Sequence, residues 1–299
     1  MDITIIPQRN SIQTLARLFD SIPVSSQIEI ILVDNSLDPI KKEDVGIDRD
    51  YILLHADSKR YAGGARNVGI ENAHGKWLVF ADADDFFAQN AFDVFDSYLD
   101  SDAEIIYFCA QGIYSDTMKL SDRGNHYTSL VQKYIKGEVK EQKIRFDFSV
   151  PWAKMIKKEL VDKNNIRFAE VIASNDIYFS LLAGYHAKKI DAVEQCVYFV
   201  STTRGSLTNR RNTEVNYSQY LENLKRNFFL REKGFSAYQA SIMVFFFRAF
   251  KFSKRRLFRM FGDLIRYRQN PFVGWENWFN TYFSLKKKEK NNIYITIIP

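Results

Sequence analysis

Short apolar runs alternate with helically periodic stretches through the first third of the chain, and this alternation narrows the possible folds more than any other feature. DITIIP (residues 2–7), IEIILVD (28–34), YILLH (51–55) and WLVFA (77–81) read as buried strands. Between them, residues 11–22 put Ile12, Leu15, Leu18, Phe19 and Ile22 on one helical face, and residues 64–73 suit a helix closed by Gly75. A helix over 89–99 and a strand over 104–109 continue the pattern. Apolar strands joined by helices predict an α/β fold with a mixed, mostly parallel sheet covered on both faces. Such sheets bind ligands beyond the carboxyl ends of their strands. Three of the four ends carry carboxylates there, at Asp34, at Asp57 and at Asp82-Ala83-Asp84-Asp85, so an acidic cleft is expected; the remaining end is Pro7-Gln8-Arg9-Asn10.

Beyond residue 111 the text is polar and irregular, with a helix expected near 127–136. Helix signals return at 157–164 and 174–183, followed by strands over 188–193 and 197–201. After Ser206 the chain turns aromatic and basic. A length of 299 residues therefore predicts a catalytic-sized domain over 1–206 and a helical region over 207–299. The net charge of +6 hides an asymmetry, because twelve Lys or Arg and only three Asp or Glu follow from Arg248 onward, which leaves the first 247 residues net acidic. Cys109 and Cys196 lie far apart in sequence and predict neither a disulfide framework nor paired metal ligands, which fits a reducing, cytoplasmic compartment. MDITIIPQRN lacks the apolar stretch of a signal peptide, and the longest uncharged stretch, 234–247, is shorter than the ~20 residues of a membrane span.

The sharpest chemical signal is FADADD, residues 80–85. A strand that delivers three carboxylates into one turn creates repulsion that a bound divalent cation relieves. Hard oxygen ligands suit Mg²⁺ or Mn²⁺, with phosphate oxygens and water completing the shell. The plainer alternative is a helix cap made by Asp84 or Asp85. Upstream, Gly63-Gly64 before a helix would let a phosphate approach the backbone amides, and Arg66 in the first turn would pair with the same anion.

Taken together, ITIIPQRN, IEIILVDNSLD, ARNVGIENAHGKWLVFADADD and SNDIYF resemble a family-2 glycosyltransferase of GT-A, Rossmann-like fold, over roughly the first two thirds of the chain. PWAKMIKKELVDKNNIRF (151–168) is similar to the segment that precedes the base in bacterial cell-envelope enzymes of this kind. The resemblance implies a nucleotide-binding half over about 1–110 and an acceptor half over about 111–206. It implies that Asp34 meets a uracil base near Pro7, Arg9 and Ser36, and that Arg66 and Ala83 lie by the nucleotide. It further implies that Asp82 holds ribose or a metal-bound water, that Asp84 ligates the metal, and that Asp176 is the general base of an inverting transfer. The plainer alternative for Asp176, at a helix start, is a cap, a place that Ser174 or Asn175 could also take. Asn35-Ser36 and Asn175 depart from the pattern, which usually has further acids there, and Arg204 stands where some relatives place a late histidine. Trp152 would be an acceptor-sugar platform or a core tryptophan, and Lys154 a phosphate contact or a solvent-exposed lysine.

The reading that results is an inverting, divalent-metal-dependent transfer from a UDP-sugar to an envelope glycan such as capsule, lipopolysaccharide or exopolysaccharide. The alternatives are a sugar nucleotidyltransferase, or a non-catalytic membrane- or glycan-binding protein with a relict donor site. In the tail, Phe246, Phe247, Phe250, Leu257, Phe261 and Leu264 form one apolar helical stripe beside Arg248, Lys251, Arg255 and Arg259, with Trp275, Trp278, Phe279, Tyr282 and Phe283 beyond. A basic amphipathic surface predicts contact with an anionic bilayer, on the inner face of the cytoplasmic membrane, where a lipid-linked acceptor would be met. The plainer alternative is a helical cap packed on the catalytic domain. No nucleic-acid-binding module accompanies the charge.

Overall fold

A computed structural model describes residues 2–8, 12–202 and 213–273. The chain divides into two compact units, Met1–Arg210 and Arg211–Pro299. In the first, the elements run β1 (Asp2–Gln8), α1 (Ile12–Asp20), β2 (Ile28–Asp34), α2 (Lys42–Val45), β3 (Ile52–His55), α3 (Tyr61–Asn72), β4 (Trp77–Phe80), β5 (Phe86–Phe87), α4 (Ala91–Asp96) and β6 (Ile105–Tyr114). They continue with β7 (Leu120–Ser121), α5 (Asn125–Ile135), α6 (Glu141–Asp147), β8 (Lys154–Lys157), α7 (Lys158–Lys163), α8 (Ile177–His186) and β9 (Ile190–Thr202).

The strands join in one sheet of order β3-β2-β1-β4-β8-β6-β9-β5, with β7 paired to β6. β3, β2, β1 and β4 are parallel, as apolar strands joined by helices require. β8 then runs antiparallel between β4 and β6, and β6 is parallel to β9. The sheet is therefore mixed, as expected. β8 escapes a sequence reading because KMIK has only two apolar residues, yet Lys154, Met155 and Ile156 are all buried there. The expected strands 188–193 and 197–201 are one strand, whose register on β6 jumps from Val193 to Cys196. The polar Glu194-Gln195 pair bulges out at the jump, which is why the text reads as two pieces. The same register makes Cys196 the neighbour of Cys109, and both thiols are free. Trp77, Phe80, Phe95, Phe108 and Phe179 are among the fully buried side chains of the core formed on this sheet.

The second unit holds α9 (Thr213–Glu232), α10 (Met243–Phe252) and α11 (Lys254–Arg266). Tyr217, Tyr220, Leu224, Ile242, Phe246, Met260 and Leu264 make its own core. The Tyr220 hydroxyl donates to the Met260 carbonyl at 2.8 Å, and that of Tyr217 to Asp263 at 2.9 Å. The expected single stripe is broken at Ser253, whose hydroxyl accepts from the Arg256 amide and starts a new helix. As a result Phe246 and Leu264 turn inward, while Phe247, Phe250, Phe258, Phe261 and Ile265 are exposed. No helix among the described residues is long and apolar enough to cross a membrane. Trp275, Trp278, Phe279, Tyr282 and Phe283 lie outside the described residues.

Candidate active site

The acid turn leaves the carboxyl end of β4. Its Asp85 amide donates to the Asp82 carbonyl at 3.0 Å, which closes the four residues into a turn. Helix α1 grips the turn from outside. Thr14 Oγ1 donates to the Ala83 carbonyl and Arg17 donates to the Asp84 carbonyl, each at 2.6 Å. The Tyr198 hydroxyl accepts from the Asp82 amide at 2.8 Å. With its backbone held on both sides, the turn sorts its carboxylates. Asp85 is fully buried, and Oδ1 accepts from the Ser201 amide at 2.7 Å, which pins β9. Asp82 and Asp84 are half-buried. None of the three caps a helix side-on, since α4 begins only at Ala91 with Asn90 before it.

Electrostatics mark the turn as short of positive charge. Burial and then the neighbouring carboxylates raise both Asp84 and Asp85 above the usual carboxylate range, Asp85 the further. Arg17 and Arg123 oppose this at Asp84 only in part. Arg66 is already engaged, donating to Asp82 Oδ1 at 2.5 Å and to Asn175 Oδ1 at 2.7 Å. Among the described residues no group of three or more His, Cys, Asp or Glu side chains could hold a metal ion. The protein therefore offers Asp84, with Asp82 beside it. That donor set fits Mg²⁺ or Mn²⁺, ions that take one or two carboxylates and complete their shell from phosphate and water.

Arg66 joins the acid turn to the other candidate residues. It is buried in α3 with its guanidinium 5.2 Å from the Phe168 ring centroid. Its two ends tie the turn after β4 to Asn175, immediately before Asp176. Asp176 occupies the N-cap position of α8, yet its side chain makes no capping bond. The capping alternative thus has no support in the geometry. Desolvation raises the Asp176 carboxyl above its ordinary range, while Arg66 and, more weakly, Lys154 pull it back. Ser174, just upstream, adopts φ +59°, a left-handed conformation that side chains other than glycine rarely take. Strain of this kind costs of order 1–3 kcal/mol and persists where surrounding contacts enforce it.

Several expected roles change. Helix α3 begins at Tyr61, so Gly63 and Gly64 lie inside its first turn rather than ahead of it. A Cβ on Gly63 would stand 2.0 Å from the Ala169 carbonyl oxygen, so this glycine lets α3 approach the 168–175 loop, not a phosphate. Asp34 is buried, and its carboxylate accepts from the amides of Ser36 at 3.1 Å and Ile40 at 3.0 Å. These two bonds fold the loop after β2. Beside it, Asn35 Nδ2 and Ser36 Oγ are buried without a hydrogen-bond partner. Asp57 likewise caps a short turn through the Lys59 amide. Of the three acidic strand ends, the turn after β4 is the one that gathers several carboxylates, Asp82, Asp84 and Asp85.

Trp152 is 4% exposed and stacks on Tyr198 at 5.7 Å with Tyr127 edge-on, so it is a core residue and not an open sugar platform. Lys154 is 2% exposed, which removes it from both roles expected of it. The Pro7 backbone lies in β1; Arg9 and Arg204 fall outside the described residues. Thr14, Arg17, Arg123 and Tyr198 had no sequence signal, because each reaches the turn across a long separation.

The profile of Glycosyl transferase family 2 matches residues 3–164, just over half the chain. The chain belongs to that family. The uncharacterized glycosyltransferase EpsJ of Bacillus subtilis is 28% identical over 221 residues, covering 68% of this chain and 62% of its own. The poly(ribitol-phosphate) beta-N-acetylglucosaminyltransferase TarS of Staphylococcus aureus is 22% identical over 213 residues, covering 67% of this chain and 35% of its own. The chain thus spans less than two thirds of these curated relatives. Among solved structures, TarS 1–349 in complex with UDP-GlcNAc superimposes with a TM-score of 0.61 at 19% identity, covering 89% of this chain and 81% of that one. The mannosyltransferase PcManGT of Pyrobaculum calidifontis, in complex with GDP-Man and Mn²⁺, gives 0.59 at 12% identity, covering 97% and 82%. The fold is the GT-A fold that these enzymes share.

Proposed function

We propose that this protein is an inverting glycosyltransferase that moves a sugar from a nucleotide donor, a UDP-sugar, to a glycan of the bacterial cell envelope. The observation that carries the reading is the Arg66 bridge, which ties the acid turn to the segment bearing Asp176. A donor diphosphate at the turn and an acceptor at Asp176 would then share one site. Asp176 has a carboxyl but no bond to spend it on at the helix end. Its raised proton affinity suits a group that takes the acceptor hydroxyl's proton as that oxygen attacks the anomeric carbon and the nucleoside diphosphate departs. Asp84 and Asp82 would hold Mg²⁺ or Mn²⁺, which when bound supplies positive charge to the leaving diphosphate. The unpartnered Asn35 Nδ2 and Ser36 Oγ are the groups with capacity left to meet the base, while Asp34 shapes their loop.

The relatives support the donor class. TarS is named for N-acetylglucosaminyl transfer and its structure was determined with UDP-GlcNAc. Incubating the protein with a panel of nucleotide-sugars, Mn²⁺ and envelope glycan acceptors tests the reading. Release of UDP with glycan extension is expected, whereas pyrophosphate release would indicate nucleotidyl transfer, and no turnover with binding alone a relict site.

The acceptor is proposed to be lipid-linked and met at an anionic bilayer. On α11, Phe258, Phe261 and Ile265 are 77%, 49% and 80% exposed, with Lys254, Arg255 and Arg259 exposed alongside. Apolar side chains flanked by cations on one helix suit the headgroup boundary of an anionic membrane.

A further inference from the structure

Neither role expected of Lys154 explains its position. Its ammonium donates to the Phe148 carbonyl at 2.7 Å and to Ser180 Oγ at 3.3 Å, and lies 4.8 and 5.4 Å from the Phe148 and Tyr107 ring centroids. A lysine buried in a β-strand forfeits its hydration, and a Met or Leu would fill the same volume without that loss. Ser180 is one turn into α8, and its amide bonds the Asp176 carbonyl at 2.9 Å. Lys154 therefore fastens β8 and the 148–153 segment to the turn of α8 that carries the base. Enforced backbone lies close to both elements: Ala153, directly before Lys154, has φ +53°, and Ser174, six residues before Ser180, has φ +59°. Left-handed non-glycine conformations of this kind persist where the surrounding fold holds them.

Resting on the base assignment made above, we infer that Lys154 is a positioning residue for Asp176, a buried cation that fixes the first turn of α8 and sets the charge around the carboxylate. The groups facing Asp176 are Arg66 from α3, Asp82 from the acid turn, Tyr127 from α5 and Lys154 from β8. Those around Lys154 are Tyr107 of β6, whose ring it faces, and Asp176 itself. Burial lowers Lys154 to about 7, with Asp176 holding it up against that fall. The cation in turn favours the ionised form of Asp176, so its removal raises the pH at which the base loses its proton.

The test is the full-length Lys154→Met variant in the sugar-transfer assay, with the Kd for UDP measured separately. The expected result is a kcat lower by roughly tenfold or more, an unchanged Kd for UDP, and an acid limb of the kcat–pH profile moved up by about one pH unit. A profile superimposed on wild type at unchanged kcat would overturn the inference, and so would a loss of UDP affinity with no shift of the limb. If Lys154→Met does not fold, Lys154→Gln, which removes the charge and keeps a polar side chain for the Phe148 carbonyl, is read in the same way. The same upward displacement supports the link, and an unmoved limb refutes it. A wild-type protein that transfers no sugar counts against the proposed function, whereas an active wild type with an indifferent Lys154→Met counts against this inference alone.

Discussion

At the scale of single residues, the acid turn shows how identical side chains acquire different duties. Asp82, Asp84 and Asp85 lie within four positions, yet Asp82 accepts from an arginine, Asp84 is half-buried with its carbonyl held by Arg17, and Asp85 is buried against β9. Asp85 carries a testable signature. Its folded-state proton affinity is raised, so the folded protein holds a proton that the unfolded chain releases near pH 4. The stability that this proton supports is present below the ordinary carboxylate range and is lost as pH rises through the raised value. Asp85→Asn can still accept from the Ser201 amide, and its Tm should depend less on pH than that of wild type between about pH 4 and neutrality; equal slopes in a melting series would contradict this. Arg66 yields a second expectation. Arg66→Met breaks both ends of the bridge and removes the largest influence favouring ionised Asp176. Transfer should fall about a hundredfold, with the acid limb displaced upward, in kcat measured across pH.

At the scale of elements, the legibility of the sequence followed the range of the interaction. β2 was readable to the residue, because IEIILVD is apolar without interruption and ends at its acid. The turn that presents Asp82 and Asp84 was readable because it follows directly on the apolar strand β4. The start of α3 was misplaced, since two glycines weigh against a helix locally while packing on Ala169 requires the first of them, Gly63. β8, the single β9 and the grip of α1 on the turn were illegible, because each depends on partners 47 or more residues away. Gly63→Ala tests the packing argument directly. The added Cβ meets backbone, which cannot swing aside, and a destabilisation of about 1–3 kcal/mol is expected in urea unfolding. An unchanged midpoint would mean that α3 and the 168–175 loop are less closely fitted than their geometry indicates.

At the scale of the whole molecule, the acidic sheet unit and the basic helical unit suggest a division between chemistry and location. Flotation with vesicles should distinguish the sources of attraction at α11. Binding is expected to phosphatidylglycerol vesicles and not to phosphatidylcholine ones, and Phe258→Ser with Phe261→Ser should reduce it at least severalfold. Equal binding to both lipids would remove the electrostatic part, and no binding would leave the exposed aromatic face without a bilayer role. Catalysis makes a separate claim, that the acid turn holds the donor while a carboxylate 92 positions later, brought in by the Arg66 bridge, activates the acceptor. Asp176→Asn is the most direct measurement of that claim, because the amide keeps the shape and removes the base. The account predicts UDP affinity close to wild type in the presence of Mn²⁺ and a kcat at least 100-fold lower, roughly the contribution of general-base catalysis. Transfer by Asp176→Asn at a rate near that of wild type would contradict it.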